Sequence, residues 1–190
     1  MNILLVGGSS RFTKLLIDKL KKEGHRVFQL TEEPKTAKSV GKVFETYHFA
    51  YDDSCIREVV DSIQPDVTVF LGAFDTNYHW DKRQSRPVTY TAGLFNLLTA
   101  HIALGKGRFI YLSSEEVYQG EYAEEISCDT PCMVHTDRAQ AITAGEDICC
   151  SYRRLGKDTV VLRLDHLYGT PKEAGETKNG CARMIIEGLE

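Results

Sequence analysis

Apolar positions in this chain fall into two alternating rhythms, short unbroken runs and rows spaced by three and four. Residues 3–6, Ile-Leu-Leu-Val, form an unbroken run that stops at Gly7-Gly8, after which Phe12, Leu15, Leu16 and Leu20 recur at helical spacing. A parallel strand buried on both faces reads as a continuous apolar run, whereas a helix packed on a sheet shows one apolar face. This opening stretch therefore predicts strand, turn and helix. The helix is expected to end near Lys22-Glu23-Gly24, with Gly24 at its C-cap, and a second strand follows over residues 25–30. Residues 42–49 predict a third, less apolar strand. Ile56, Val59, Val60 and Ile63 mark a helix that Asp52 or Asp53 would cap. Residues 67–73 read as a buried strand ending in small residues. A polar loop over 74–87, holding the single Trp80, leads to a long helix at about 88–104, which Gly105-Lys106-Gly107 halts before a strand beginning at Arg108.

Composition adds bounds to this picture. The chain has 190 residues, 42% apolar and 26% charged, enough for one domain with a real core. A formal net charge of -4 and a pI near 5.9 exclude a general polyanion binder, which needs a basic patch to displace counterions, so no nucleic-acid partner is expected. The N-terminal apolar run is too short for a signal peptide, and no stretch approaches a membrane span. The expectation is a cytoplasmic protein with no membrane partner. Cys55, Cys128, Cys132, Cys149, Cys150 and Cys181 show no paired C-x-x-C spacing, so reduced thiols and no metal are expected. A zinc site at Cys128, Cys132 and His135 is the alternative, and Cys149-Cys150 fall in a helical pattern.

Candidate chemistry begins at the first turn. Amide N–H groups at a helix start have no internal partner and sit at the positive end of the dipole, so a pyrophosphate can accept from them. Gly7 and Gly8 would let backbone approach a phosphate, with Ser9, Ser10, Arg11 and Phe12 at the helix start. A glycine turn without a ligand is the plain alternative. Glu32 lies about twenty residues beyond that turn, where a dinucleotide-binding domain places an acid on the adenosine ribose, and Thr31 precedes it. A solvated acidic loop is the other reading of these two. At the end of the fourth strand, Leu71, Gly72 and Ala73 leave room for a cofactor.

The Gly7 to Thr13 loop resembles the G-x-x-G-x-x-G fingerprint of the extended short-chain dehydrogenase/reductase family, the nucleotide-sugar epimerases and dehydratases. Ser10 and Thr13 stand where its second and third glycines would be. Ser113-Ser114-Glu115-Glu116-Val117-Tyr118 resembles the family's strand end Ser-Ser-x-x-Val-Tyr-Gly, with the glycine displaced to Gly120, and the stretch from Arg163 to Pro171 resembles its Arg-x-x-x-x-Tyr-Gly-Pro element. Right-handed crossovers then give a doubly wound α/β Rossmann sheet of order 3-2-1-4-5-6 with helices on both faces.

The resemblance implies NAD as cofactor, with NADP as the alternative, because Glu32 would repel a 2′-phosphate while Arg11 could pair with one. It implies a small-molecule substrate such as a nucleotide sugar, whose reacting oxygen Ser114 would orient. Ser113 lines the crevice, and Asp52 or Asp53 would touch adenine if not engaged in capping. Glu115 and Glu116 occupy positions that dehydratases fill with an acid and base pair, or else form a plain exposed loop. One feature is missing. Aligning Ala144-Gly145-Glu146 with the family's Ala-x-Glu puts Arg138 and Ile142 where the family carries its Tyr-x-x-x-Lys pair, and neither can shuttle the proton. Tyr168 and Lys172 share the spacing but are misplaced, and His135 is the one nearby substitute base. The expected activity is that of an NAD(P)-dependent epimerase or dehydratase impaired in this chemistry; the alternative is a non-catalytic dinucleotide-binding sensor or assembly subunit. Residues 1–171 are expected to form the dinucleotide-binding domain. Residues 172–190 would begin a C-terminal substrate region, where Ala182, Ile185, Ile186 and Leu189 share one helical face, and a homodimer is the candidate assembly.

Overall fold

A computed structural model describes residues 1–7, 11–32, 43–50, 53–72, 86–123 and 125–165. The described elements run β1 (Asn2–Val6), α1 (Arg11–Lys22), β2 (Arg26–Thr31), β3 (Glu45–His48), α2 (Ile56–Ile63), β4 (Val67–Phe70), α3 (Arg86–Ala103), β5 (Arg108–Ser114), α4 (Asp137–Arg154) and β6 (Thr159–Leu164), with a 3-10 turn over Glu115–Val117. All six strands pair in parallel in the order β3-β2-β1-β4-β5-β6, the order that right-handed crossovers predict.

The sheet is covered on both faces. Leu4, Val6, Phe28, Leu30, Phe70, Phe109 and Tyr111 point to one side, against the apolar rows of α2, α3 and α4. Ile3, Leu5, Val27, Val69, Leu71 and Leu112 point to the other, against Ile17 of α1. Alternate residues serve opposite faces, which is why β1 is apolar over residues 3–6 and β2, β4 and β5 place apolar side chains on both faces.

Details depart from the sequence pattern where geometry overrules it. Leu15 is 58% exposed, while Thr13 and Ile17 are buried. At 100° per residue, positions 12, 13, 16, 17 and 20 form one stripe, and position 15 falls well outside it. Gly24 takes φ 83, and the N–H groups of Gly24 and His25 close onto the Lys21 and Leu20 carbonyls, so the helix ends where predicted. β3 is shorter than expected, four residues on the sheet edge. Cys55, rather than an aspartate, stands at the N-cap of α2 and makes no side-chain cap bond; Asp53 Oδ1 instead accepts from the Cys55 N–H at 2.8 Å, one step outside the helix.

The chain turns one way from β1 through β2 to β3 and the other way from β4 through β5 to β6. Between β1 and β4 lies the switch point, where the carboxyl ends of the strands leave a crevice.

Candidate functional site

The crevice is built by register. Val6 lies beside Leu30 on one side and Phe70 on the other, so the residues that follow these three come together at one end of the sheet. Gly7 adopts φ 81, open to glycine at no steric cost, and its N–H donates to the Leu30 carbonyl at 2.8 Å. α1 starts at Arg11, four residues on. Thr31 is buried at the end of β2, with Glu32 half-buried after it, and the Leu71 N–H donates to the Val6 carbonyl at 2.8 Å. Gly7, Thr31, Glu32, Leu71 and Gly72 thus lie at the carboxyl ends of three neighbouring strands. Gly8, Ser9, Ser10, Asp52, Ala73 and the Arg11 side chain lie outside the described residues.

Two of these positions have duties inside the fold. The Phe12 ring packs into the core beneath α1, so at the helix start it offers its backbone alone. At Gly72 an added Cβ would lie 2.5 Å from Tyr90 Cε2 and 2.6 Å from Phe70 Cε1. The space its missing side chain leaves is filled by aromatic rings.

β5 carries the other half. Tyr111 pairs with Phe70, so Ser113 and Ser114 reach beyond the end of β4. Ser114 is 3% exposed; its hydroxyl donates to Glu115 Oε2 at 2.9 Å and accepts from the Glu116 N–H at 3.2 Å, capping the 3-10 turn. Glu116 Oε1 lies 2.9 Å from Arg138 Nη2, which reaches across from the first turn of α4. Thr136 caps that helix by accepting from the Ala139 N–H at 3.2 Å. Ile142, one turn beyond Arg138, is buried against Val117. His135 is exposed, and its backbone N–H donates to Gln119 Oε1 at 2.6 Å. Among the described residues no group of three or more His, Cys, Asp or Glu side chains is placed to hold a metal ion.

Beneath this layer lies a network that motif reading passed over. Glu146, buried on α4, accepts from the Ser113 hydroxyl at 2.5 Å and from Arg163 on β6 at 2.9 Å and 2.7 Å. Arg163 also donates to the Tyr118 hydroxyl, to the Cys128 carbonyl at 3.2 Å and to Cys132 Sγ at 3.3 Å. Hydrogen bonding to Glu146 raises the Arg163 pKa beyond its ordinary value, so the guanidinium stays charged. The Cys132 thiol is pushed up chiefly by burial, which outweighs the opposing pull of Arg163. The available signal was an acid on the inner face of a helix and a base inside a strand, two charges that burial obliges to meet.

Facing it, the Tyr90 hydroxyl bonds that of Tyr111 at 2.8 Å, and the Tyr111 hydroxyl donates to the Ile142 carbonyl at 3.0 Å. Burial holds the Tyr111 phenol well above its usual range, so it remains a neutral donor that ties β5 to α4.

The described part of the site therefore has Gly7 at positive φ, the start of α1 at Arg11, a carboxylate after β2, and a serine flanked by two carboxylates and a guanidinium.

Comparison with known proteins bears on this arrangement. The model of the NAD dependent epimerase/dehydratase family matches residues 3–189. No curated protein matches the chain in sequence. Among solved structures, UDP-glucose 4-epimerase of Thermotoga maritima, crystallised with UDP-glucose, is similar at 20% identity and TM-score 0.81, covering 98% of this chain and 62% of that one. The dTDP-glucose 4,6-dehydratase of Bacillus anthracis, in complex with NAD, is similar at 15% identity and TM-score 0.75, covering 100% of this chain and 61% of that one. UDP-glucose 4-epimerase of Brucella ovis, in complex with NAD, is similar at 16% identity and TM-score 0.75, covering 90% and 53%. At these identities the likeness is one of fold, and the chain spans between about half and two thirds of these structures' lengths.

Proposed function

Because this chain belongs to the NAD dependent epimerase/dehydratase family, we propose that it binds NAD across the ends of β1, β2 and β4, takes a nucleotide sugar or a similar small molecule beside Ser114, and lacks the family's tyrosine–lysine proton transfer. The switch-point crevice fits the cofactor. Gly7 and the start of α1 would hold the pyrophosphate, and Glu32 would accept from the adenosine ribose hydroxyls, which favours NAD over NADP because a 2′-phosphate would meet that carboxylate. When bound, NAD supplies a hydride acceptor at its nicotinamide. Solved relatives of this fold hold NAD or UDP-glucose, which supports both ligand classes.

The observation that carries the reading of impaired chemistry is the Glu116–Arg138 ion pair above buried Ile142. An arginine stays protonated and accepts nothing, so it does not exchange a proton with a carbinol oxygen. General acid–base catalysis supplies roughly 100- to 10,000-fold in rate, and that factor is the loss expected here. The same pair supports a second reading, a non-catalytic dinucleotide-binding subunit.

A calorimetric titration with NAD, followed by an assay of the epimerised or dehydrated sugar product formed from UDP-glucose or dTDP-glucose, tests both. Saturable NAD binding with turnover depressed to that degree supports the first reading. Binding with no turnover favours the second. Turnover at ordinary enzyme rates overturns the assignment of Arg138 and Ile142, and absence of NAD binding overturns the cofactor site.

A further inference from the structure

The loop after the 3-10 turn carries two cysteines four positions apart, Cys128 and Cys132, and the fold gives them a shared neighbour. Its ends are pinned together, because the Met133 N–H donates to the Val117 carbonyl at 3.0 Å and the Gln119 N–H to the Met133 carbonyl at 2.8 Å. Between them the chain turns at Ser127, whose carbonyl accepts from the Thr130 N–H at 3.2 Å and from the Tyr118 hydroxyl at 3.0 Å. Cys128 lies in that turn and is exposed, and Cys132 beyond it is half-buried.

Arg163 is the group that both meet. A guanidinium has five N–H donors in one plane. Glu146 takes the Nε hydrogen at 2.9 Å and one Nη2 hydrogen at 2.7 Å, which leaves the second Nη2 hydrogen for Cys132 Sγ at 3.3 Å. The two Nη1 hydrogens go to the Tyr118 hydroxyl and, at 3.2 Å, to the Cys128 carbonyl. The turn is thus folded so that both cysteine residues rest on the terminal nitrogens of a single cation. A thiol is a weak acceptor and a thiolate a strong one, so this cation gains most from Cys132 when the sulfur is ionised. Among the described cysteines Cys149 is buried, Cys55 and Cys150 are half-buried, and Cys128 alone is exposed.

We propose that Cys128 and Cys132 form a thiol–disulfide exchange site, where a small-molecule disulfide of the glutathione type oxidises the pair to an intramolecular bridge. The Cys128 thiolate attacks one sulfur of the small disulfide, one small thiolate departs and takes up a proton, and Cys128 is left in a mixed disulfide. Cys132 then passes its proton to water and attacks the Cys128 sulfur. The second small thiolate leaves, is protonated in turn, and the Cys128–Cys132 bond closes. Two cysteine thiols are oxidised and one small disulfide is reduced to two thiols. Arg163, kept charged by its pair with Glu146, steadies the Cys132 thiolate in the second step. No nucleotide takes part, so the site stands whether or not the crevice binds NAD.

The chain offers a direct readout, because the tryptic peptide 109–138, bounded by Arg108 and Arg138, contains these two cysteines and no other. The reduced full chain is incubated with glutathione disulfide, quenched, alkylated and digested. Mass spectrometry is expected to find this peptide two hydrogens lighter, preceded by a transient glutathione adduct on Cys128. In Cys132→Ser the adduct should persist. In Cys128→Ser the peptide should take up glutathione about tenfold or more slower than the wild type, since Cys132 is half-buried. Burial holds the Cys132 thiol above its ordinary range, so decay of the adduct should quicken about tenfold per pH unit from pH 7 to 8, as the thiolate fraction does. A wild-type chain that stops at the Cys128 adduct, or that reacts at another cysteine while peptide 109–138 stays reduced, would overturn the proposal. So would a Cys128→Ser chain that captures glutathione at the wild-type rate.

Discussion

Gly145 lies where α4 passes closest to the sheet, and a Cβ built there would sit 2.4 Å from Tyr111 Oη and 2.9 Å from Leu94 Cδ2. Its neighbours are the buried hydroxyl chain of Tyr90 and Tyr111, which has no room to retreat. Gly145→Ala is therefore expected to destabilise the fold by about 1–3 kcal/mol, read from the midpoint of urea unfolding. Glu146, the next residue, shows the opposite sensitivity. It is 5% exposed and accepts three hydrogen bonds, so Glu146→Ala would leave the Arg163 guanidinium and the Ser113 hydroxyl without their shared acceptor. Breaking a buried pair by removing one partner costs about 3–5 kcal/mol, and Arg163 is a quarter exposed, so the lower end of that range is expected in the same experiment. Both residues stand in the Ala-x-Glu stretch that was legible by resemblance. Their physical roles were not, because an alignment names a position without naming what it touches.

At the scale of elements, the start of α4 matters most to the site, since it positions Arg138 opposite Glu116. Thr136 caps it through the Ala139 N–H. Thr136→Ala should cost about 1 kcal/mol, and Thr136→Gly only a few tenths, a difference that thermal unfolding of the two variants can resolve. The strands and helices themselves were legible to within a few residues, because an apolar run buried on both faces and a row at three and four need no distant partner to be recognised. The N-cap of α2 was not. Aspartate was the expected residue there, and the structure uses Asp53 two residues earlier, holding the Cys55 N–H, because the entry angle of the chain decides which residue meets the first free amide.

For the whole molecule, one buried histidine couples stability to pH. His101 of α3 is 2% exposed, its Nδ1 lies 3.0 Å from Thr68 Oγ1 of β4, and burial lowers its pKa from 6.5. The unfolded chain takes up a proton below about pH 6.5, and the folded chain does so only at lower pH. Stability from this group is thus complete above pH 6.5 and is lost as pH falls from there towards the folded value. Urea midpoints at pH 7.5 and 5.5 should drop more for the wild type than for His101→Gln, and equal drops would show that the ring carries no such coupling. No described helix is long and apolar enough to cross a membrane.

Taken alone, the sequence determined the class, the strand order and the position of the crevice, since these follow from local periodicity, right-handed crossover and the glycine turn after β1. Resemblance to the family singled out Ser114, Glu115 and Glu116 at one strand end and put Arg138 at the tyrosine position of the next helix. Only the tertiary structure decided how those groups spend their hydrogen bonds: Ser114 on Glu115, Glu116 on Arg138, and Ser113 with Arg163 on Glu146. Such pairings join residues up to 33 positions apart, and which donor meets which acceptor depends on strand register and helix rotation. Neither is written in a local pattern. Both are settled only when the whole core packs.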